Sequence, residues 1–167
     1  MSSAVSRFRL EAAITMMAHI PYHPAPSKRV RSTFMEMMMP FNKLHVPQDL
    51  PAATCHAING ILHDSLVATC NVNPNDFFCL VCRYPAADMI FHPTYLGNRD
   101  PAATIVIEIA LLAGRSDSQK EALYAAVRTG LGRMGFEPAN SIMFLVENNP
   151  VDWSFSPMGS VKSVLGL

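Results

Sequence analysis

The same order of periodicities occurs twice in this chain, and that repetition constrains the fold more than any other feature. Phe41, Lys43 and His45 alternate with Asn42, Leu44 and Val46, a strand-like period of two that ends at Pro47. From Gln48 to Cys70 apolar residues take up helical spacing, with Leu50, Ala53, Ala57 and Ile61 continuing into Leu62, Leu66 and Cys70. Pro51 is compatible with the first turn of that helix. NVNPND at 71–76 is turn chemistry, and Phe77 to Tyr84 is rich in strand formers. After a loop from Pro85 to Asp100 the order recurs. Thr104 to Leu112 (TIVIEIALL) predicts a buried strand, Ser116 to Met134 a helix, and Ser141 to Glu147 (SIMFLVE) a strand. Ser116, followed three residues later by Gln119, carries the signature of a capping box. Two strand–helix–strand units of about fifty residues each predict an α+β fold, a two-layer α/β arrangement with one mixed four-stranded sheet and two helices on one face. The uncovered edges and face of such a sheet need partners, which predicts a homo-oligomer.

Composition narrows the class of function. The chain has 167 residues, of which half are apolar and 16% charged, with 13 basic and 13 acidic side chains. This balance gives no electrostatic footprint for nucleic acid or an anionic membrane, and neither is an expected partner. The longest apolar run, Thr104 to Ala113, is interrupted by Glu108 and falls short of the ~20 residues a spanning helix needs. Four cysteines are too few for a disulfide scaffold, and the start lacks a secretory signal, so a reducing, cytoplasmic setting is expected. Charge is unevenly spread: Met1 to Met39 holds five basic and two acidic residues, hence +3, and the remainder holds eight and eleven, hence −3. With three prolines in IPYHPAP at 20–26, residues 1–39 read as an extended or disordered extension to a domain at 40–167. The extension is either a transit segment, which would make the location organellar, or the product of a start assigned too far upstream, Met35, Met37, Met38 and Met39 offering later ones.

Metal and nucleotide chemistry find no support in the spacing. Cys79 and Cys82 form a CxxC, but residues i and i+3 of a strand point to opposite faces and cannot chelate one ion. His45, His56, His63 and His92 lack ligand spacing, and no P-loop or GxGxxG occurs, so no cofactor and no metal is expected.

Five motifs together carry a resemblance: MPF at 39–41, NPND at 73–76, HPTYLG at 92–97, AGRSDSQKEALY at 113–124 and LVENNPVDWSF at 145–155. With these the chain resembles the tautomerase superfamily, and within it the fused, two-module branch that includes malonate semialdehyde decarboxylase. The resemblance spans nearly all of 40–167 and none of 1–38. It implies a (βαβ)2 fold, a homotrimer, and an amino-terminal proline freed by removal of methionine.

What it implies for individual residues has a clear chemical basis. Pro40 would be the catalytic group, because a free prolyl nitrogen is a secondary amine that can move a proton at carbon beside a carbonyl. Joined to Met39 the same nitrogen is a tertiary amide with nothing to give, and Pro40 then merely opens a strand. Arg115, directly after the third strand, matches the arginine that holds a substrate carboxylate through a bidentate fork. The decarboxylase pattern has another arginine two residues earlier, where this chain has Ala113, a departure that weighs against decarboxylation. Asp76, thirty-six residues after Pro40, matches an aspartate that orients water or sustains a protonated proline; a plain turn role is the alternative. It is followed here by Phe77 and Phe78, where polar residues are usual in the family. Trp153 and Phe155 match a substrate-lining wall, or pack as core, and Tyr95 and Arg99 belong to a long loop that either borders a site or packs on itself. The expected activity is keto–enol tautomerisation of a small 2-oxo acid such as an arylpyruvate. Decarboxylation or hydration of an oxo acid and a non-catalytic trimer with Pro40 blocked are the alternatives.

Overall fold

The computed structural model describes residues 40–155 and 157–166; the expectations for residues 1–39 lie outside the described residues. Strand β1 (Phe41–Pro47), helix α1 (Ala52–Cys70) and strand β2 (Phe78–Tyr84) form the first unit. Strand β3 (Ile105–Leu112), helix α2 (Asp117–Arg133) and strand β4 (Ser141–Asn148) form the second, and a short helix α3 (Val161–Leu165) follows. The strands make one sheet in the order β2-β1-β3-β4. Each unit contributes a parallel pair, β1 with β2 and β3 with β4, and the units join through an antiparallel β1–β3 pair. This is the mixed four-stranded (βαβ)2 sheet expected from the repeat.

Alternation in the two central strands sorts their side chains between two environments. Leu44 and Val46 on β1, and Ile105, Ile107, Ile109 and Leu111 on β3, are buried beneath the helices. They pack with Ile58, Leu62 and Leu66 of α1 and with Leu123, Val127 and Leu131 of α2 in one core. The buried stripe of α1 begins at Cys55 and Ile58, not at Ala53 and Ala57, which are exposed. The helix starts only at Ala52, after Pro51 as its cap, so the phase expected from its first turns is corrected. Helix α2 starts as expected: Ser116 Oγ accepts from the Gln119 N–H at 3.3 Å while Gln119 Oε1 accepts from the Ser116 N–H at 3.0 Å.

Among the described residues, no helix lies over the opposite face of the sheet. That face carries Lys43, His45 and Glu108 in its middle, with Lys43 Nζ 2.9 Å from Glu108 Oε1 and His45 Nδ1 2.9 Å from the Tyr84 hydroxyl. Around them Leu80, Phe144 and Val146 are exposed. Cys79 pairs with Asn42 and Cys82 with His45, so the two thiols lie on opposite faces. Burial pushes the Cys79 thiol up to about 11. No described helix is long and apolar enough to cross a membrane.

Candidate active site

Topology brings residues far apart in sequence to one end of the sheet. Pro40 is buried immediately before β1. Because β1 and β2 are parallel and start together, Phe41 opposite Phe78, the turn leading into β2 and its Asp76 lie at the same end. Because β3 runs antiparallel to β1, with Phe41 opposite Ala110, the exit of β3 and Arg115 come to that end too. Strand β4 leaves the sheet there as well, since Leu112 pairs with Asn148, and delivers Trp153 and Phe155.

Each group is held by local chemistry. The NVNPND turn closes on itself, with the Asp76 N–H on Asn73 O at 2.9 Å and the Asn75 N–H on Asn73 Oδ1 at 2.9 Å. Asn71 caps α1 in the left-handed region at φ 55°, which asparagine tolerates. Asp76 Oδ2 is buried and accepts no hydrogen bond within the described protein. Burial raises the Asp76 pKa from its ordinary value, and the nearby His63 partly offsets this. His63 itself was not singled out from the sequence. Its Nε2 donates to Pro74 O at 3.0 Å and its ring meets Phe77 edge-on at 5.9 Å. Since a carbonyl only accepts, that bond puts the proton of a neutral ring on Nε2. The reversal at Asn71 folds the turn back onto α1, and no spacing rule signals that contact.

Arg115 is only 6% exposed. Its Nη1 donates to Leu112 O, so the guanidinium is drawn back over the strand end instead of reaching outward. Burial lowers its pKa from the ordinary guanidinium range, with Cys70 and Glu147 opposing the shift, and a guanidinium in a protein stays cationic at neutral pH. Trp153 and Phe155 stack at 5.5 Å and 13°. The stack extends through Phe78, 5.3 Å from Phe155, to Phe41, 6.3 Å from Phe78. Four rings thus run from the residue beside Pro40 to the carboxyl-terminal segment, and Phe41 and Phe78 join a wall that the sequence attributed to Trp153 and Phe155 alone. Tyr95 and Arg99 are at the other end of the sheet, against the start of β4.

A buried guanidinium, a carboxyl with one buried oxygen and a stack of four rings thus share the Pro40 end of the sheet, the kinds of group that can bind an organic anion and move a proton. Comparison with known proteins agrees with this class. A family profile described as tautomerase enzyme matches residues 76–156. The probable tautomerase YusQ of Bacillus subtilis (strain 168) is 25% identical over 118 residues, covering 70% of this chain and 93% of its own. Among solved structures, FG41 malonate semialdehyde decarboxylase inhibited by 3-bromopropiolate is 28% identical with a TM-score of 0.67, covering 75% of this chain and 95% of that one. A symmetric trimer of a fused 4-OT shares the fold at 22% identity and a TM-score of 0.62, over 74% and 97% of the two chains. These findings together support the tautomerase superfamily as the family this chain matches. Its two βαβ units in a single polypeptide form one sheet, and the malonate semialdehyde decarboxylase structures at 26–28% identity are similar to it in fold.

Proposed function

We propose that the active form begins at Pro40 and catalyses keto–enol tautomerisation of a small 2-oxo acid without a cofactor. Arg115 holds the carboxylate, the neutral amine of Pro40 takes the proton from the carbon beside the carbonyl, and that proton is returned at the oxygen, so the step is balanced. Asp76, whose pKa burial raises from its ordinary value, assists at the oxygen. Trp153 and Phe155 line the substrate. The observation that supports this reading is the convergence of Pro40, Asp76 and Arg115 from three separate connections onto one end of the sheet. A homotrimer of the kind named for the fused 4-OT structure would cover the open sheet face.

The 26–28% identity to malonate semialdehyde decarboxylases favours a second reading, decarboxylation or hydration of an oxo acid by a protonated Pro40. Ala113, in place of an arginine, weighs against it. The pH–rate profile separates the two: a neutral base gives activity that rises with pH through the amine pKa, and a cationic acid gives activity that falls. The test is a chain produced to start at Pro40 and the same chain with Pro40→Ala, assayed on 2-oxo acids. Loss of at least a hundredfold in turnover is expected, as is loss when residues 1–39 are retained. Unchanged turnover in either case refutes the proline mechanism, and no turnover even by the chain that starts at Pro40 leaves the non-catalytic oligomer.

A further inference from the structure

We propose that the cleft between the 90–99 loop and the start of β4 is a second binding site, non-catalytic and specific for a small organic carboxylate with an apolar body. The repeat provides the place. Residues Ile105 and Ser141 start the second unit side by side, as Phe41 and Phe78 start the first, and the central antiparallel pair puts these two starts at opposite ends of the sheet. The segment after β4 brings Trp153 and Phe155 to the Pro40 end; the segment after β2 brings Phe91 and Tyr95 to the other. There a cleft of about 650 Å3 opens, a size suited to a small ligand.

Its lining has one sign of charge. Arg99, Arg128 and His92 face it, with Phe91, Ile142 and Met143 as apolar walls, and no Asp or Glu contributes. Neither arginine takes part in an ion pair among the described residues. Arg99 is held by neutral carbonyls: Nε donates to Ala139 O at 2.9 Å, and Nη1 to His92 O at 2.9 Å and Tyr95 O at 3.4 Å. These bonds fix the guanidinium plane yet leave its charge uncompensated and its Nη2 protons to donate to an anion. The loop is fastened at both ends, by the Arg99 N–H on Pro93 O at 2.7 Å and the Asp100 N–H on Asn140 Oδ1 at 2.9 Å. Leu96 is 88% exposed and sits at φ 53°, a left-handed backbone unusual for leucine, within this fastened loop. No proline-type chemistry is available, because Thr104, in the place corresponding to Pro40, is mid-chain and its N–H and hydroxyl bond Pro101 O and Asp100 O. The site therefore binds and does not react.

The test is calorimetric titration of the full chain with 3-phenylpropionate, propionate and inorganic phosphate, with Trp153 fluorescence followed in parallel. Trp153 is the sole tryptophan and lies at the other end of the sheet, so it reports the Pro40 end only. Arg128 is exposed, and Arg128→Ala should fold normally and weaken one calorimetric binding event about tenfold, the effect of one charge-assisted hydrogen bond. It should leave the Trp153 response unchanged. Arg99→Lys, which keeps a charge but loses the carbonyl bonds that fix the guanidinium and aim its Nη2, should weaken the same event. Propionate should bind about tenfold more weakly than 3-phenylpropionate for want of the buried ring. Absence of any event sensitive to Arg128, or phosphate binding more tightly than 3-phenylpropionate, would overturn the proposal.

Discussion

Replacing Gly130 by alanine sets two opposing effects against each other at the seam between α1 and α2. Within a helix, Gly→Ala is worth about 1 kcal/mol of stabilisation. Against this, a Cβ built at Gly130 falls inside 3.0 Å of Ile61 Cγ2 and 3.2 Å from Cγ1, distances that oblige a neighbour to move. Ile61 is branched at Cβ and has one strongly preferred rotamer in a helix, so the strain passes to the spacing of the helices. Inserting a methyl into packed surroundings costs about 1–3 kcal/mol, and this contact belongs at the upper end. The net expectation is a loss of about 1–2 kcal/mol, read from urea unfolding at fixed protein concentration. In an Ile61→Ala background both clashing atoms are gone, and Gly130→Ala should then stabilise by about 1 kcal/mol. If Gly130→Ala stabilises the protein equally in both backgrounds, the reasoning about this seam is wrong.

Two further expectations concern the cap and the carboxylates. Ser116→Ala removes the acceptor for the Gln119 N–H at the start of α2 and should cost about 1 kcal/mol in chemical denaturation, with Ser116→Asp retaining most of it. Glu108 and Asp76 should give stability–pH dependences of opposite sign. The hydrogen bond from Lys43 is the chief cause holding the Glu108 pKa below its ordinary value. Its contribution is therefore present above the ordinary glutamate range and lost as pH falls through the folded value. Glu108→Gln should accordingly be less stable than wild type at neutral pH and converge with it in acid. Burial raises the Asp76 pKa, so its ionisation costs stability as pH rises through the ordinary aspartate range to the folded value. Asp76→Asn should be the more stable protein at neutral pH, with the difference vanishing in acid; urea midpoints across a pH series decide both.

Much of the architecture was legible because local periodicity and burial coincide in the central strands. The alternation of β1 and β3 in sequence is the alternation of their burial, with Leu44, Ile107 and Ile109 inside and Lys43, His45 and Glu108 on the open face. The Ser116–Gln119 cap was likewise readable, since both partners lie within one turn of each other. The first turns of α1 were misread, because Ala53, Ala57 and Ile61 fit a helical stripe as well as Cys55 and Ile58 do. Only the second set faces the core, as the angle at which the helix meets the sheet, and not spacing alone, selects the buried side.

For the site, the identities of Pro40, Asp76, Arg115, Trp153 and Phe155 were carried by motif and resemblance, and the chain alone determined that these residue types exist in connections flanking strands. Their arrival at one end of the sheet depends on two parallel pairs joined by an antiparallel one, a long-range choice that no local window contains. The same choice extends the ring stack to Phe41 and Phe78, sets His63 beside Asp76, and collects Arg99 and Arg128 at the far end around one cleft. Sequence thus determined the elements and the chemistry available, since both follow from neighbours along the chain. Which groups meet was decided only by tertiary structure, because strand order and direction are fixed by burying both units' apolar faces in a single core.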